Sequence, residues 1–276
     1  MDEIVWHALT RAQLDAAYNN SAAVKNSAEK LAEWIARSKR VRAKRNELLD
    51  LVYGPRARNR IDIFRCGSPQ APLLVYIHGG YWQRNDKEFY ACLAEGPIAR
   101  GFDVALIGYT LAPNATLTEI VAEVRAALRW LRTEGPKHGV ATAKLIVSGW
   151  SAGGHLTAMT LSEADAGVAI SGVFDIEPCR LSYLNTALKI TLAEQIALSP
   201  IRQLPARSVP LAIAFGTAEL PELQRQSRDY HAARKEANLP SVLLPLAGHD
   251  HYSILDELAS PKGELNECLL RLAATD

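Results

Sequence analysis

The stretch Leu145-Ile146-Val147-Ser148-Gly149-Trp150-Ser151-Ala152-Gly153-Gly154-His155-Leu156 admits few folds. Its β-branched and apolar start reads as a strand, it breaks at Gly149-Trp150-Ser151-Ala152-Gly153, and it continues as a helix. A strand that feeds a helix through so tight a turn leaves Ser151 at the apex. Gly149 and Gly153 suit that geometry because they leave room for a strained turn. The pattern is that of a nucleophile elbow, which lifts a serine hydroxyl above the end of a sheet. The same five residues also occur in ordinary strand-to-helix loops. The pattern therefore gains its meaning from a base, an acid and oxyanion donors elsewhere in the chain.

The chain is long enough to bury a large core. Its 276 residues are 48% hydrophobic with a net charge of +1, which fits one α/β domain spanning 1–276 better than two small ones. The amino terminus opens on Asp2 and Glu3, and neither a signal-peptide pattern nor an apolar run of membrane-spanning length is present. Cytoplasmic localisation is the expectation. The four cysteines, Cys66, Cys92, Cys179 and Cys268, lack the paired spacing of a zinc site or a disulfide framework, and read as reduced. The basic run Arg37-Ser38-Lys39-Arg40-Val41-Arg42-Ala43-Lys44-Arg45 lies on an amphipathic helical pattern, so it is read as a solvated face rather than a nucleic-acid or membrane stripe.

Periodicity organises the rest. Leu9, Leu14 and Tyr18, then Val24, Ala28, Leu31, Trp34, Ile35 and Val41, recur at helical spacing, giving an N-terminal helical cap over residues 1–47. Leu48 to Tyr53 and Arg60 to Arg65 read as an antiparallel start to the sheet. From Leu73 strands alternate with helices, the pattern of a mostly parallel sheet flanked by helices. Strands are expected at Leu73–Ile77, Asp103–Ile107, Leu145–Ser148, Gly167–Ile170, Leu211–Phe215 and Val242–Leu246, the last two as core strands. Helices are expected over Lys87–Arg100, Leu117–Thr133 and Pro221–Asn238 and at the C-terminus, with a helical insertion near the site over 174–200.

A serine hydroxyl is a poor nucleophile at neutral pH and needs a base within hydrogen-bond reach and an acid to orient that base. In doubly wound hydrolases the chain order is serine, acid, histidine. Glu219 lies in the loop after Leu211–Phe215, ahead of Glu222 and Asp229, which fall inside the following helix. Gly248-His249-Asp250-His251-Tyr252 follows the last strand. His251, one residue before an apparent helix start, is placed to swing over the sheet toward Ser151, and His249 is read as exposed or supporting. A metal clip at His249-Asp250-His251 lacks further ligands. For the oxyanion, the Ala152 amide opens the elbow helix, while His78-Gly79-Gly80-Tyr81 follows an earlier strand with glycines that permit close approach. Gly79, Gly80 and Ala152 are the expected donors, with the Tyr81 amide as a further candidate.

Together these residues resemble the α/β-hydrolase superfamily on the side of the hormone-sensitive-lipase-like carboxylesterases, and most of all the kynurenine formamidase (arylformamidase) group. His78-Gly79-Gly80-Tyr81-Trp82 is similar to that group's His-Gly-Gly-Tyr-Trp loop, and Gly149 to Gly153 to its elbow. Gly108-Tyr109-Thr110-Leu111-Ala112-Pro113 resembles its Tyr-x-Leu-x-Pro segment, Glu219 to Ser227 its acid loop, and Asp250-His251-Tyr252 its Asp-His-Phe. The likeness runs from about Tyr18-Asn19-Asn20 to the C-terminal helix. Glu219 stands where the group has aspartate, Trp150 where it has histidine or aspartate, and Tyr252 where it has phenylalanine.

The resemblance implies a serine hydrolase with Ser151 as nucleophile, His251 as base and Glu219 as its orienting acid, needing no metal or organic cofactor. It implies a small acyl group, formyl in the formamidase case, cleaved from an aryl amide. Tyr81, Trp82, Trp150 and Tyr252 are the candidate substrate contacts, and Tyr18, Phe174 and Tyr183 are further aromatics that could wall the site. The expected partner is a small aromatic amide or ester, with no nucleic acid or membrane, and a homodimer is the assembly to test. The rival readings are a carboxylesterase for short acyl esters and a non-catalytic binding protein on a hydrolase fold.

Overall fold

Strands that are apolar on both faces must be covered on both faces, and that requirement sets the layers of this molecule. The computed structural model describes residues 3–275. In chain order the strands of its main sheet are β1 (Leu51–Val52), β2 (Arg60–Phe64), β3 (Leu73–Ile77), β4 (Asp103–Ile107), β5 (Leu145–Trp150), β6 (Ala166–Ile170), β7 (Leu211–Gly216) and β8 (Ser241–Leu246). They form one eight-stranded sheet in the order β8-β7-β6-β5-β3-β4-β2-β1. β2 runs antiparallel to both β1 and β4, and every pairing from β4 to β8 is parallel. This is the mostly parallel, helix-flanked sheet of an α/β-hydrolase.

Side chains of β3 alternate between two cores. Leu73, Val75 and Ile77 join the layer containing Ile120, Val124, Leu128 and Leu156, whereas Leu74 and Tyr76 face Trp34, Val41, Leu265 and Leu269. The first layer is supplied by α2 (Leu117–Glu134) and α3 (Ala152–Thr160), the second by α1 (Ser27–Lys44) and, at the C-terminus, Glu264–Ala273. A capping box between Thr116 and Glu119 starts α2 where the sequence turns apolar at helical spacing. No helix among the described residues is long and apolar enough to cross a membrane.

Several local expectations are corrected. A short antiparallel ribbon, Ile4–Trp6 with Leu9–Thr10, precedes the helices, turning at His7, whose φ is +45°. The strand expected from Leu48 shrinks to β1 because Asp50, at φ +57°, breaks the extended run. Lys87–Arg100 is a 3-10 turn over Lys87–Ala94 followed by a short α-helix, Glu95–Ala99. β8 is an edge strand rather than a core strand: Val242 is 59% exposed, and Pro245, which cannot donate to a ladder, is tolerated there.

The register matters for chemistry. Ile77 lies opposite Gly149, Trp150 opposite Ile170, Ile170 opposite Ala214, and Leu246 opposite Gly216. The loops that follow β3, β5, β6, β7 and β8 are thereby delivered to one edge of the sheet, where ligands of open α/β sheets bind.

A buried ionic cluster joins the N-terminal helix to this sheet. Lys87 is 2% exposed, and its Nζ donates to Asp62 at 2.8 Å and to Asp50 and Glu88 at 2.6 Å each. Arg42 of α1 pairs with the same Asp62 and with Asp50. Removing one partner of such a buried set leaves a carboxylate undercompensated, a loss of about 3 kcal/mol or more. Lys87→Met is therefore expected to lower the thermal midpoint by roughly 6–12 °C, read by calorimetry; an unchanged midpoint would mean that the cluster is energetically idle.

Candidate active site

At the end of β5 the chain reverses through Ser151, whose φ of +58° and ψ of −116° are unusual for a residue with a side chain. Its N–H is held by the carbonyl of Ile170 at 2.8 Å. A Cβ added at Gly153 would collide with the carbonyl oxygen of Ile77, and one at Gly149 with the backbone of Gly153. Helix α3 can start directly after the serine only because neither position carries a side chain. Ala152, the first residue of α3, has an N–H without an intrahelical partner.

Glu219 sits in the turn after β7, with its N–H bonded to Gly216 O at 3.1 Å. Its Oε2 accepts from His251 Nδ1 at 2.9 Å. Its Oε1 accepts from Ser171 Oγ and from the Gly216 N–H, each at 2.6 Å. The longer side chain of glutamate is thus curled back onto its own strand and locked at both oxygens. With Nδ1 committed as donor, Nε2 is the free nitrogen of His251. No hydrogen bond joins it to Ser151 Oγ among the described residues, although both side chains line the same cavity; such bonds are often loose before substrate arrives.

Trp150 holds the histidine loop from below. Its Nε1 donates to the carbonyl of His251 at 2.7 Å, and the two rings lie 4.9 Å apart. His249 is turned away, with Nδ1 on Ser253 O at 3.1 Å and Nε2 near Glu257 at 3.2 Å. Asp250 accepts from the N–H groups of Tyr252 and Ser253 and so starts the following helical turn.

The loop after β3 is built under tension. Gly80, Tyr81 and Trp82 have φ of +116°, +50° and +58° in succession. His78 anchors it: Nδ1 bonds Gly79 O at 2.9 Å, its carbonyl accepts from Tyr109 Oη at 2.9 Å, and its ring stacks on Tyr109 at 4.3 Å. Full burial pushes His78 down to about 3, so it is neutral. Asn85 ties Gly79 O to Tyr90 Oη. The N–H groups of Gly79 and Gly80 donate to no acceptor among the described residues.

These loops enclose a cavity of about 130 Å³. Gly80, Tyr81, Trp150, Ser151, His251 and Tyr252, all expected at the site, line it. Gly79, which lies close against Trp150, and Ala152 are not among its lining residues. Trp82 is fully buried, edge-on to His155 at 4.9 Å, and is not among the residues lining the cavity. Tyr18, Phe174 and Tyr183 also lie outside the cavity lining.

Sequence reasoning missed Asn20, Ser21 and Leu31 from the N-terminal segment, and Arg84, Asn85 and Tyr90. The N-terminal residues are clamped on by polar bonds: Tyr81 Oη donates to Tyr18 O at 2.7 Å, and Ser21 Oγ meets Tyr252 Oη at 3.0 Å. Ser171 was also missed, although its place directly after a parallel strand was a usable signal. A larger, open groove of about 780 Å³ lies between Lys44, Arg65 and His138. Cys66 and His138 both line it, but no hydrogen bond pairs them among the described residues.

Comparison with known proteins finds relatives over most of the chain. Residues 61–175 match the BD-FAE family. A kynurenine formamidase of Danio rerio is 30% identical over 254 residues, covering 85% of this chain and 85% of that one. The esterase LipC of Mycobacterium tuberculosis is 24% identical over 243 residues, covering 75% of this chain and 60% of that one. Among solved structures, a Silicibacter sp. TM1040 protein provisionally assigned as a thioesterase superposes with a TM-score of 0.83 at 26% identity, covering 95% of this chain and 99% of that one.

Burial of neutral histidines beneath the site carries a pH signature. His155 is fully buried, donates from Nε2 to Leu198 O at 2.7 Å, and is pushed by desolvation from 6.5 down to about 4. Below pH 6.5 the unfolded chain takes up a proton that the native chain refuses. The stability contributed by neutral His155 is therefore complete above 6.5 and is lost as pH falls toward 4, at up to about 1.4 kcal/mol per pH unit. Denaturant titrations at pH 7, 6 and 5 should show His155→Gln losing less stability than the wild type over that range; parallel profiles would contradict a neutral buried His155.

Proposed function

The chain belongs to the kynurenine formamidase family of α/β-hydrolases, and from that premise we propose that Ser151 is its nucleophile, His251 its general base and Glu219 the acid that orients the base. The protein is a hydrolase acting on an amide or ester bond. His251 Nε2 removes the Ser151 proton as Oγ attacks the carbonyl carbon. The amides of Gly79, Gly80 and Ala152 hold the oxyanion, a contribution on the order of 10²–10³ in rate for a single donor. His251 then protonates the departing amine or alcohol, and water regenerates the serine by the reverse use of the same base.

The observation that carries this reading is the convergence of Ser151, His251 and Gly80 on one cavity, with the imidazole tethered to Glu219 at 2.9 Å. At about 130 Å³ the cavity is below the ~300–1,000 Å³ of sites for drug-sized ligands, which supports a small acyl group such as formyl. Tyr81, Trp150 and Tyr252 supply aromatic walls for an aryl leaving group. The favoured substrate is accordingly an aryl formamide of the N-formylkynurenine type, and the second reading, favoured by the esterase relative, is a short-chain carboxylesterase.

We further assign the protein to the cytoplasm, in keeping with four free cysteines, and to a homodimer, for which the exposed edge strand β8 is the supporting feature; light scattering reads its mass directly. Nucleic acid is not a partner on this reading, because Arg37 and Arg42 of the basic run are engaged by Glu95 and Asp62.

Formate release from N-formylkynurenine and hydrolysis of 4-nitrophenyl acetate should be compared on one preparation. The wild type is expected to give the higher kcat/KM on the formamide, and Ser151→Ala to lose both activities by at least roughly 10⁴-fold. Slow formamide turnover beside fast acetate turnover would move the assignment to the carboxylesterase.

A further inference from the structure

The basic run on the N-terminal helix is only partly spent by the fold. Arg37 and Arg42 are paired with Glu95 and Asp62, but Lys44 at the end of α1 and Arg45 at its C-cap have no carboxylate partner among the described residues. Both line the open groove of about 780 Å³, and a third cation without a carboxylate partner among the described residues, Arg65, joins them there from the end of β2. His138 enters from the short turn Gly135–His138 that follows α2. Among the described residues Glu47 is the one acidic side chain in that lining. Asp103, whose carboxylate accepts from the Cys66 N–H at 2.8 Å, is fully buried and does not share it. Three permanent cations therefore face one carboxylate in a single concavity.

A helix favours cations at its C-terminus, where the last carbonyls carry partial negative charge, and that accounts for Lys44 and Arg45. It does not account for Arg65 and His138, which arrive from other segments. Several of these groups are also held in place. Arg45 Nη1 donates to Arg65 O at 2.9 Å. The Arg65 guanidinium lies against Gly139, where an added Cβ would stand 3.0 Å from Nη1 and 3.4 Å from Nη2. The His138 ring stacks on Trp130 with centroids 5.7 Å apart. Like charges gathered and fixed in this way repel one another, and an anion seated among them relieves that repulsion. Buried Ile63 and half-buried Leu48 add an apolar patch to the same lining.

The groove lies at the edge of the sheet opposite Ser151. Phe64, next to Arg65, pairs with Val104 near the start of β4, and β5 starts at Leu145, shortly after His138. Ser151 follows the far end of β5, so about 20 Å of strand separates the two edges. A molecule bound in the groove is therefore not the one being hydrolysed. We propose that the groove is a second binding site, for a small molecule that carries a diphosphate or longer phosphate chain. Arg45, Arg65 and Lys44 hold the phosphates, and Leu48 and Ile63 lie against its organic part. Guanidinium forks match phosphate oxygens two at a time, whereas a lone carboxylate would leave two of the cations unmatched. The groove's 780 Å³ falls within the ~300–1,000 Å³ of small-molecule sites.

Calorimetric titration of the full chain with sodium pyrophosphate, at low and at raised sodium chloride, tests the site. Saturable one-to-one binding is expected, at least about 10-fold tighter than for inorganic phosphate or sulfate and weakening as salt rises. Arg65→Gln should weaken pyrophosphate about 10-fold, with Arg65→Lys restoring part of the loss, and adding Arg45→Gln to Arg65→Gln should bring it to roughly 100-fold. Lys39→Gln removes an exposed cation of the same helix that does not line the groove, and should leave affinity within about twofold. The melting midpoint without ligand shows that each variant is folded. Ser151→Ala should bind pyrophosphate as the wild type does; the titration needs no turnover, so it judges the groove whatever bond the catalytic site cleaves. No saturation at millimolar pyrophosphate, an affinity untouched by Arg65→Gln and Arg45→Gln, or an equal loss from Lys39→Gln would overturn the site. Binding of a DNA duplex without binding of pyrophosphate would also overturn it, and would assign this face to nucleic acid instead.

Discussion

A helix that begins one residue after a strand needs a place where no side chain stands, and in this molecule that place is the contact of Gly153 with the Ile77 carbonyl. Everything at the site depends on it. With α3 pressed against the end of β3, the turn at Ser151 is driven to φ +58°, and the hydroxyl is presented at the edge of the sheet beside the loop that carries Gly80. The same closeness puts the first, unpartnered amide of α3 next to the serine. A side chain at Gly153 would push the helix outward and separate Ser151, the Ala152 amide and the loop that carries Gly80 at once.

Around that fixed point the groups are held by bonds to backbone more than by packing. Glu219 is anchored at one oxygen by Ser171 and the Gly216 amide, leaving the other to orient His251. Trp150 grips the His251 carbonyl from within the elbow itself, so the residue before Ser151 also positions His251. The N-terminal segment completes the wall through Asn20, Ser21 and Leu31, while Trp34 stacks on Tyr252 at 5.9 Å. Sheet edge, elbow and N-terminal segment are therefore parts of one small enclosure, and its size bears on the acyl group it admits.

The parallel sheet was legible because continuous apolar runs and helical spacing alternate so regularly after Leu73. Ser151, Glu219 and His251 could be nominated from chain order, since each follows a strand whose carboxyl end must lie at the same edge. What failed to read was what depends on contacts between distant segments. Trp82 shares a loop with the oxyanion glycines, but its positive φ turns the ring into the core beside His155. β8 is apolar like an inner strand, and only topology makes it an edge. Ser171, Arg84 and Asn20 carry no local motif. Ser171 matters because the register sets its loop beside that of Glu219, and Arg84 and Asn20 reach the cavity lining only because distant segments of the chain meet there.

The central claim is that Ser151 is the residue that takes the acyl group, activated by a histidine that Glu219 orients. Labelling of the folded protein with a fluorophosphonate, followed by peptide mass spectrometry, tests it most directly. One stoichiometric adduct is expected, on Ser151, formed much more slowly when His251→Ala removes the imidazole. An unlabelled Ser151 in folded protein, or an adduct on another serine, would contradict it.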